Sequence, residues 1–379
     1  MHHSIFKAPG SGVDTAALQK TIAKRYDYIY SGQNVDVLKF DIKINNLSNS
    51  EYIDPQIIFS SRRWWNYDIF IHDIYGGHST QITKNKWIDF NPAISSNSKK
   101  LLFVSDRDGN REIYSADLEW LDGYTQWRAA NLRNITNSQE NDWTPVYSPV
   151  EDKIAFATYF PQNDNYDIII MNADGSKKEN LTNTSSYEKF PQFSPDGSFI
   201  IYQGWQKGKM DIFFTSLLDR NRVNITRNVN HNDIISHGNS FSPDGESIVF
   251  TSERDGNRNL YLMNINGDGL IRLTQNQAND YEPIFSPDGK SIVFTSERDG
   301  NKEIYLLDLH SKKLKNLSNN SEDDWNPRFY PDNKKIIFQS TRDGNWEIYM
   351  MGLNGNNQTN LTNNSSTDYS FIVLPLTNP

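Results

Sequence analysis

An aspartate followed by an aromatic residue recurs along the chain, and this pair is the first candidate for chemistry. Five copies lie two or three residues before a predicted inner strand: Asp89-Phe90, Asp142-Trp143, Asp280-Tyr281, Asp324-Trp325 and Asp368-Tyr369. If the fold brings these carboxylates together, their negative charge attracts a divalent cation or a basic peptide. In the alternative interpretation, each aspartate bonds a backbone N–H or the arginine of an adjacent motif and joins one repeat unit to the next. We favour the alternative, because a motif that recurs with the repeat normally serves the repeat.

Histidine is scarce, and His237 is the one that stands at a position of interest. It replaces the aromatic residue of the pair in the unit Ser236-His237-Gly238. An imidazole can bind a metal or act as a base, but a metal site needs several ligands and only His231 lies nearby in the sequence. The chain also lacks a nucleophile elbow, a His-Glu-x-x-His motif and a phosphate-binding glycine loop. These observations favour a binding protein over an enzyme.

The elements that position these residues belong to a tandem repeat of about 44 residues. Arg254, Arg298 and Arg342 are 44 residues apart, each in a Ser-x-Arg-Asp-Gly-Asn motif. Pro-Asp-Gly marks a tight reversal at 195–197, 243–245 and 287–289, and Asp-Gly-Asn marks a β-hairpin. The segments between the turns are short, β-branched and aromatic, which is typical of strands. Each unit is therefore predicted to be a four-stranded antiparallel meander, and such units stack radially into a propeller.

The pattern Phe-Ser-Pro-Asp-Gly, followed by Ser-x-Arg-Asp-Gly-Asn-x-Glu-Ile-Tyr, resembles the WD40-like PD40 repeats of TolB-type β-propellers over roughly residues 55–379. The resemblance implies an all-β fold with the aspartates near one mouth of a central channel. It also implies a periplasmic or secreted protein if a leader has been removed, and otherwise a cytoplasmic one. It says little about activity, since the same repeat serves scaffolds, peptidase gates and lyases. Related lyases use channel histidines with a metal, so a polysaccharide lyase or hydrolase that uses His237 is the alternative function.

Seven repeat units are clear, and their second strands begin near Ile57, Leu101, Ile154, Phe199, Ile248, Ile292 and Ile336. Residues 368–374 are predicted to supply the inner strand that an N-terminal blade lacks, which closes the ring and removes free strand edges. Residues 27–54 echo the repeat, so they form either a degenerate eighth blade or an appended hairpin. We assign residues 27–379 to the propeller and residues 1–26 to an extension with a short helix N-capped by Asp14.

Departures from the repeat are the best guide to a binding site, because binding residues gather on loops that the scaffold does not dictate. Trp64, Trp65, Tyr159 and Trp205 replace parts of the Arg-Asp-Gly-Asn hairpin, and Trp127 lies in an insertion at 119–131. Clustered aromatic residues beside a few cations suit a peptide or a glycan. In the alternative, these rings fill hydrophobic gaps between blades.

The bulk composition excludes several classes of function. The net charge of −9 argues against nucleic acid as a partner, and no apolar run is long enough to insert into a membrane. The chain has no cysteine, so disulfides and thiolate metal sites are excluded. We therefore predict a monomeric propeller that binds a protein or a peptide and requires no cofactor. A divalent cation in the channel and a glycan ligand stay open as alternatives.

Overall fold

The computed structural model describes residues 56–63, 65–74, 77–121, 126–206, 208–226 and 238–374, and every structural statement below refers to these residues. They belong to one compact unit, 54–376. They contain no helix that could cross a membrane. The described chain forms seven four-stranded antiparallel sheets, which we number as blades 1 to 7. The all-β prediction is confirmed.

The strands are given blade by blade, from the inner strand outward. Blades 1 to 4 consist of β28 (Asp368–Val373), β1 (Gln56–Ser61), β2 (Asp68–Asp73) and β3 (His78–Gln81); β4 (Asp89–Ile94), β5 (Lys100–Ser105), β6 (Glu112–Leu121) and β7 (Gln126–Asn134); β8 (Asn141–Tyr147), β9 (Lys153–Phe160), β10 (Asn165–Asn172) and β11 (Glu179–Asn180); and β12 (Glu188–Phe193), β13 (Phe199–Gln206), β14 (Lys209–Ser216) and β15 (Arg222–Asn224). Blades 5 to 7 consist of β16 (Asn239–Phe241), β17 (Ser247–Ser252), β18 (Asn259–Asn264) and β19 (Ile271–Arg272); β20 (Asp280–Phe285), β21 (Ser291–Ser296), β22 (Glu303–Asp308) and β23 (Leu314–Asn316); and β24 (Asp324–Phe329), β25 (Lys335–Ser340), β26 (Glu347–Gly352) and β27 (Thr359–Asn360).

The hydrophobic core lies between the blades rather than inside any one of them. Val293 and Ile304 of blade 6, for example, pack against Phe329, Ile336 and Phe338 of blade 7. Equivalent clusters join the other successive blades from 2 to 7 and join blade 7 to blade 1, and β1 and β28 contact β4 between blades 1 and 2. A single sheet cannot bury both of its faces, so the blades stabilise one another as a ring. The favoured count of seven blades is confirmed, whereas residues 1–54, with the proposed helix and extra hairpin, lie outside the described residues.

The two ends of the described chain meet in blade 1. Strand β28 pairs with β1 in antiparallel register, with Ile57 opposite Val373 and Ser61 opposite Asp368. The buried Phe371 joins the core between blades 7 and 1. The C-terminal strand therefore completes the first blade, as the sequence predicts.

The inner strands share a bulge that the sequence analysis did not predict. The residue with a positive φ is the third of the strand at Asn91, Phe190, Glu282, Asn326 and Ser370 and the fourth at Thr144, and in blade 5 it is Gly238, just before β16. At Gly238, where φ is 107°, a Cβ atom would lie 2.8 Å from the Cα of Glu282, so only glycine fits. The bulge brings third residues of neighbouring blades together, as the 3.1 Å contact between Ser370 Oγ and Asn91 Oδ1 shows.

Candidate functional site

One side of the ring carries the turns between the second and third strands of the blades, beside the starts of the inner strands. In blade 2, Arg107 of this turn contacts Asp89 at the start of β4, at 3.0 and 3.1 Å. Asn110 of the same turn donates to the carbonyl of Ser138, in the link to blade 3. We call this side the hairpin face. Trp65, Tyr159 and Trp205 lie on it, whereas Trp64 and His237 lie outside the described residues.

The five aspartates predicted at the channel mouth are fully buried. Four of them pair with an arginine, in the pairs Arg107–Asp89, Arg298–Asp280, Arg342–Asp324 and Arg63–Asp368, at 3.0, 3.0, 2.9 and 3.4 Å. Asp142 instead accepts a hydrogen bond from Thr158 at 2.6 Å, and burial raises its pKa to about 6. Each arginine comes from the same blade as its aspartate, so these pairs hold a blade together rather than joining neighbours. Because these buried carboxylates are already paired with an arginine or hydrogen-bonded, they offer a ligand little to contact.

Blades 3 and 4 lack the arginine of the hairpin, and each recruits a cation from its outer edge instead. In blade 4, Arg222 of β15 pairs with Glu188 at 2.9 Å and lies 4.2 Å from the Phe213 ring centroid. In blade 3, Lys178 lies 5.7 Å from the Phe156 ring centroid, and its charge opposes the rise that burial causes in the pKa of Asp142. Because the cation beside the buried acid comes from the outer edge of the blade, the hairpins of these two blades do not have to supply it and can vary in sequence.

The hairpins of blades 3 and 4 and the link between these blades carry a group of aromatic residues that we call the aromatic cluster: Tyr159, Tyr166, Tyr187 and Trp205. The rings of Tyr159 and Tyr166 are 4.8 Å apart, and those of Tyr166 and Tyr187 are 5.9 Å apart. The backbone N–H of Trp205 donates to the carbonyl of Tyr187 at 3.0 Å. The cluster therefore runs from blade 3 to blade 4 and brings together two residues predicted to bind a ligand, Tyr159 and Trp205.

A cation–π pair inside the cluster has its partners exchanged relative to other blade junctions. Between blades 2 and 3, 5 and 6, and 6 and 7 the cation belongs to the preceding blade, as with Lys302, whose Nζ lies 5.0 Å from the centroid of Trp325. Between blades 3 and 4 the ring belongs to the preceding blade, and Lys189 Nζ lies 3.7 Å from the Tyr166 centroid. Burial lowers the pKa of Lys189. The exchange places an ammonium group where blades 1, 2, 3, 6 and 7 carry an aromatic ring.

A cavity of about 290 Å³ opens beside the cluster, and the described residues that line it are Tyr187, Lys189, Gln203, Trp205 and Met210. Tyr187 and Trp205 are 37% and 39% exposed, so their rings form accessible walls. Two other predicted binding residues lie apart from it. Trp65 of blade 1 is 94% exposed, and Trp127 of blade 2 is only 7% exposed.

Sequence reasoning missed Tyr166, Tyr187, Lys189, Gln203 and Met210. A signal was present for Lys189, because Glu188-Lys189 stands in the register of the Asp-aromatic pair. The other four have no distinguishing motif. Strand pairing within blade 4 places Gln203 opposite Lys189 and Met210 opposite Trp205, and the packing of blade 3 on blade 4 adds Tyr166.

A second cavity of about 420 Å³ lies at the opposite ends of the inner strands of blades 3 to 5. Its walls include Pro149, Pro195 and Pro243 of the repeated turns. Within the described ranges, no group of three or more histidine, aspartate or glutamate side chains is arranged to hold a metal ion. The hairpin-face cavity, whose lining departs from the repeat, is therefore the better candidate for a specific site.

Comparison with known proteins supports the same architecture. The Tol-Pal system protein TolB of Gluconobacter oxydans is 32% identical over 97 residues, which are 26% of this chain and 21% of that protein. The crystal structure of TolB from Acinetobacter baumannii matches 85% of this chain and 67% of its own, with 19% identity and a TM-score of 0.53. Oligogalacturonate lyase from Vibrio parahaemolyticus matches 78% of this chain and 86% of its own, with 15% identity and a TM-score of 0.63. At these identities the two structures show the fold alone.

The chain spans between 21% and 46% of the length of the first curated relatives that it matches. The family model of the TolB beta propeller domain, PD40, matches residues 54–228, 160–305 and 297–375. These ranges cover most of the chain and coincide with the seven blades, so the chain belongs to the PD40 family of TolB β-propellers.

Proposed function

We propose that this propeller is a non-catalytic scaffold that binds a protein or peptide partner on its hairpin face. The observation that carries the proposal is the aromatic cluster of blades 3 and 4. Its rings lie on the hairpins of blades 3 and 4, which lack the Arg-Asp-Gly-Asn motif, and on the link between these blades, and two of the rings line a cavity. Exposed aromatic residues beside a cation are the side chains that most often anchor a protein interface. A relative named as a Tol-Pal system protein also supports a protein partner.

The alternative is a polysaccharide lyase or hydrolase that uses His237 and a metal. What favours it is the fold shared with oligogalacturonate lyase, one structure of which is a manganese complex. Incubating the full chain with oligogalacturonate and manganese distinguishes the two proposals. Turnover that is lost in His237→Ala would establish the enzyme and overturn the scaffold proposal.

The scaffold proposal predicts that Trp205→Ala and Trp65→Ala weaken capture of the partner. Loss of a tryptophan at the centre of an interface costs about 2 kcal/mol, or roughly thirtyfold in Kd. The melting temperature should change little, because both side chains are substantially exposed. Affinity is measured by titrating the purified partner against each variant.

Leu218→Ala is the matched control, since Leu218 is 95% exposed and lies in the turn between β14 and β15, on the opposite side of blade 4. This variant should bind like the wild type. Equal binding by all the variants would contradict the assignment of the hairpin face. A loss confined to Trp205→Ala would restrict the site to the aromatic cluster.

A further inference from the structure

Two glutamines occupy the same repeat position in blades 4 and 7, but only one of them is hydrogen-bonded. Gln339 of blade 7 donates from Nε2 to the carbonyl of Asp368 at 3.1 Å, and its Oε1 accepts from Asn326 at 3.1 Å. Gln203 of blade 4 is only 1% exposed, and neither of its amide atoms has a hydrogen-bond partner among the described residues. The same side chain is thus satisfied in one blade and unsatisfied in another.

The difference arises from the third residue of the inner strand. In blade 7 this residue is Asn326, whose amide donates to Gln339. In blade 4 it is Phe190, whose ring has no amide to donate. A buried polar group without a partner is costly, and native proteins contain few of them. Gln203 also lines the hairpin-face cavity, so a ligand in that cavity could supply the missing partners.

We propose that the cavity binds an extended peptide segment of the partner, with the carboxamide of Gln203 pairing to the backbone of one anchor residue. Gln203 Nε2 donates to the carbonyl oxygen of that residue, and Gln203 Oε1 accepts from its N–H. In an extended chain these two groups of one residue point to the same side, which matches the planar carboxamide. An apolar or aromatic side chain of the segment packs among Tyr187, Trp205 and Met210. The inference rests on the proposed function and deepens it by naming the kind of ligand.

The lining of the cavity favours a peptide over a glycan. Three of its five described residues, Tyr187, Trp205 and Met210, have largely apolar side chains, and Lys189 Nζ already lies over the Tyr166 ring. A sugar ring presents several hydroxyl groups and needs more hydrogen-bonding partners than Gln203 supplies. The volume of about 290 Å³ is at the small end for ligand cavities, which suits one anchoring side chain better than a whole small molecule.

The test begins by panning a phage-displayed library of random linear peptides on the full chain. Enriched peptides are synthesised, and their Kd values are measured by fluorescence anisotropy against the wild type, Trp205→Ala, Gln203→Met and Gln339→Met. Gln203→Met should weaken binding about tenfold through the loss of two hydrogen bonds, and it should leave the melting temperature unchanged or higher. Gln339→Met, the matched control, should keep its affinity but melt at a lower temperature, because its amide is paired.

An N-methyl scan of the peptide gives a readout that does not depend on how well a variant folds. Methylation at the anchor residue should weaken binding to the wild type about tenfold and have little further effect in Gln203→Met. Peptides that require Trp205 but not Gln203, and that show no sensitive N–H, would overturn this inference alone. Failure to enrich any peptide that requires Trp205, or binding of an oligosaccharide array in its place, would overturn the proposed function as well.

Discussion

At the scale of single residues, the recurring device is a buried carboxylate covered by a cation that also lies on an aromatic ring. Arg298 pairs with Asp280 and lies 4.5 Å from the Tyr305 ring centroid. The ring shields the ion pair from water while attracting the guanidinium. The opposite charge offsets part of the cost of burying the acid.

Glu188 is one of the acids whose burial is only partly compensated. It is paired with Arg222 and accepts a hydrogen bond from Thr184 at 2.6 Å, but its Oε2 has no hydrogen-bond partner among the described residues. Burial raises its pKa from 4.5 to about 7, although Thr184 and Arg222 act in the opposite direction. The folded protein therefore holds a proton at Glu188 more tightly than the unfolded chain does.

This shift predicts a pH dependence of stability with a definite sign. Because the folded pKa is the higher one, the stabilisation from Glu188 is complete below pH 4.5 and is lost as the pH rises through about 7. The free energy of unfolding of the wild type should fall across that window relative to Glu188→Gln, by at most about 1.4 kcal/mol per pH unit. Urea denaturation of both proteins across the window measures the difference. Parallel profiles would contradict the predicted shift.

At the scale of strands and hairpins, the cation beside the buried acid is supplied by two different elements. In blade 6 the cation comes from the hairpin, at Arg298, whereas in blade 4 it comes from the outer strand, at Arg222. Both guanidinium groups lie within 4.5 Å of the ring centroid of an aromatic residue on the third strand. Both blades therefore have a cation between the buried acid and the aromatic ring, although the element that supplies the cation differs.

If the two cations are equivalent, Arg298→Ala and Arg222→Ala should destabilise the protein to a similar extent. Each leaves a buried carboxylate without its cation, and at about pH 8 we expect a loss of about 2–3 kcal/mol in the free energy of unfolding. Arg220→Ala is the control, because the Arg220–Glu179 pair is exposed on both sides and should contribute less than about 1 kcal/mol. Guanidinium denaturation of the three variants measures each loss in the free energy of unfolding. If Arg222→Ala left the free energy of unfolding unchanged, the outer strand would not supply the cation that stabilises the buried acid.

The elements were predictable to the extent that local chemistry determines them. The Asp-Gly-Asn and Pro-Asp-Gly turns mark the strand ends, and the apolar run at 371–374 indicated the closing strand. The exchange of Lys189 and Tyr166 could be predicted only in part, because Lys189 departs from the Asp-aromatic register but its partner Tyr166 has no distinguishing motif. The unpaired state of Gln203 likewise depends on Phe190, which lies on the neighbouring strand. Features that arise from pairs across strands or blades required the structure.

At the scale of the whole molecule, none of the seven described blades has a hydrophobic core of its own. Each cluster of buried side chains is shared by two blades, so the loss of one blade exposes the facing side of its neighbour. Blade 1 is the only one of the seven described blades assembled from distant parts of the chain, because β28 pairs with β1. The Arg63–Asp368 ion pair crosses the same junction. The stability of the ring should therefore depend on β28 more than its length suggests.

Deletion of residues 367–379 tests this dependence. The deletion removes β28, leaves β1 as an unpaired edge, and takes Phe371 and Leu374 out of the core. Loss of a buried phenylalanine side chain alone costs roughly 3–5 kcal/mol, and the whole domain is stable by only about 5–15 kcal/mol. The truncated protein should therefore melt far below the wild type or aggregate through the exposed edge, as calorimetry and light scattering would show.

Within the full chain, Phe371→Ala should be strongly destabilising, whereas Tyr369→Ala, in the same strand but with an exposed ring, should be mild. If the deletion left the melting temperature unchanged, closure by the C-terminal strand could not be what holds the seven blades together.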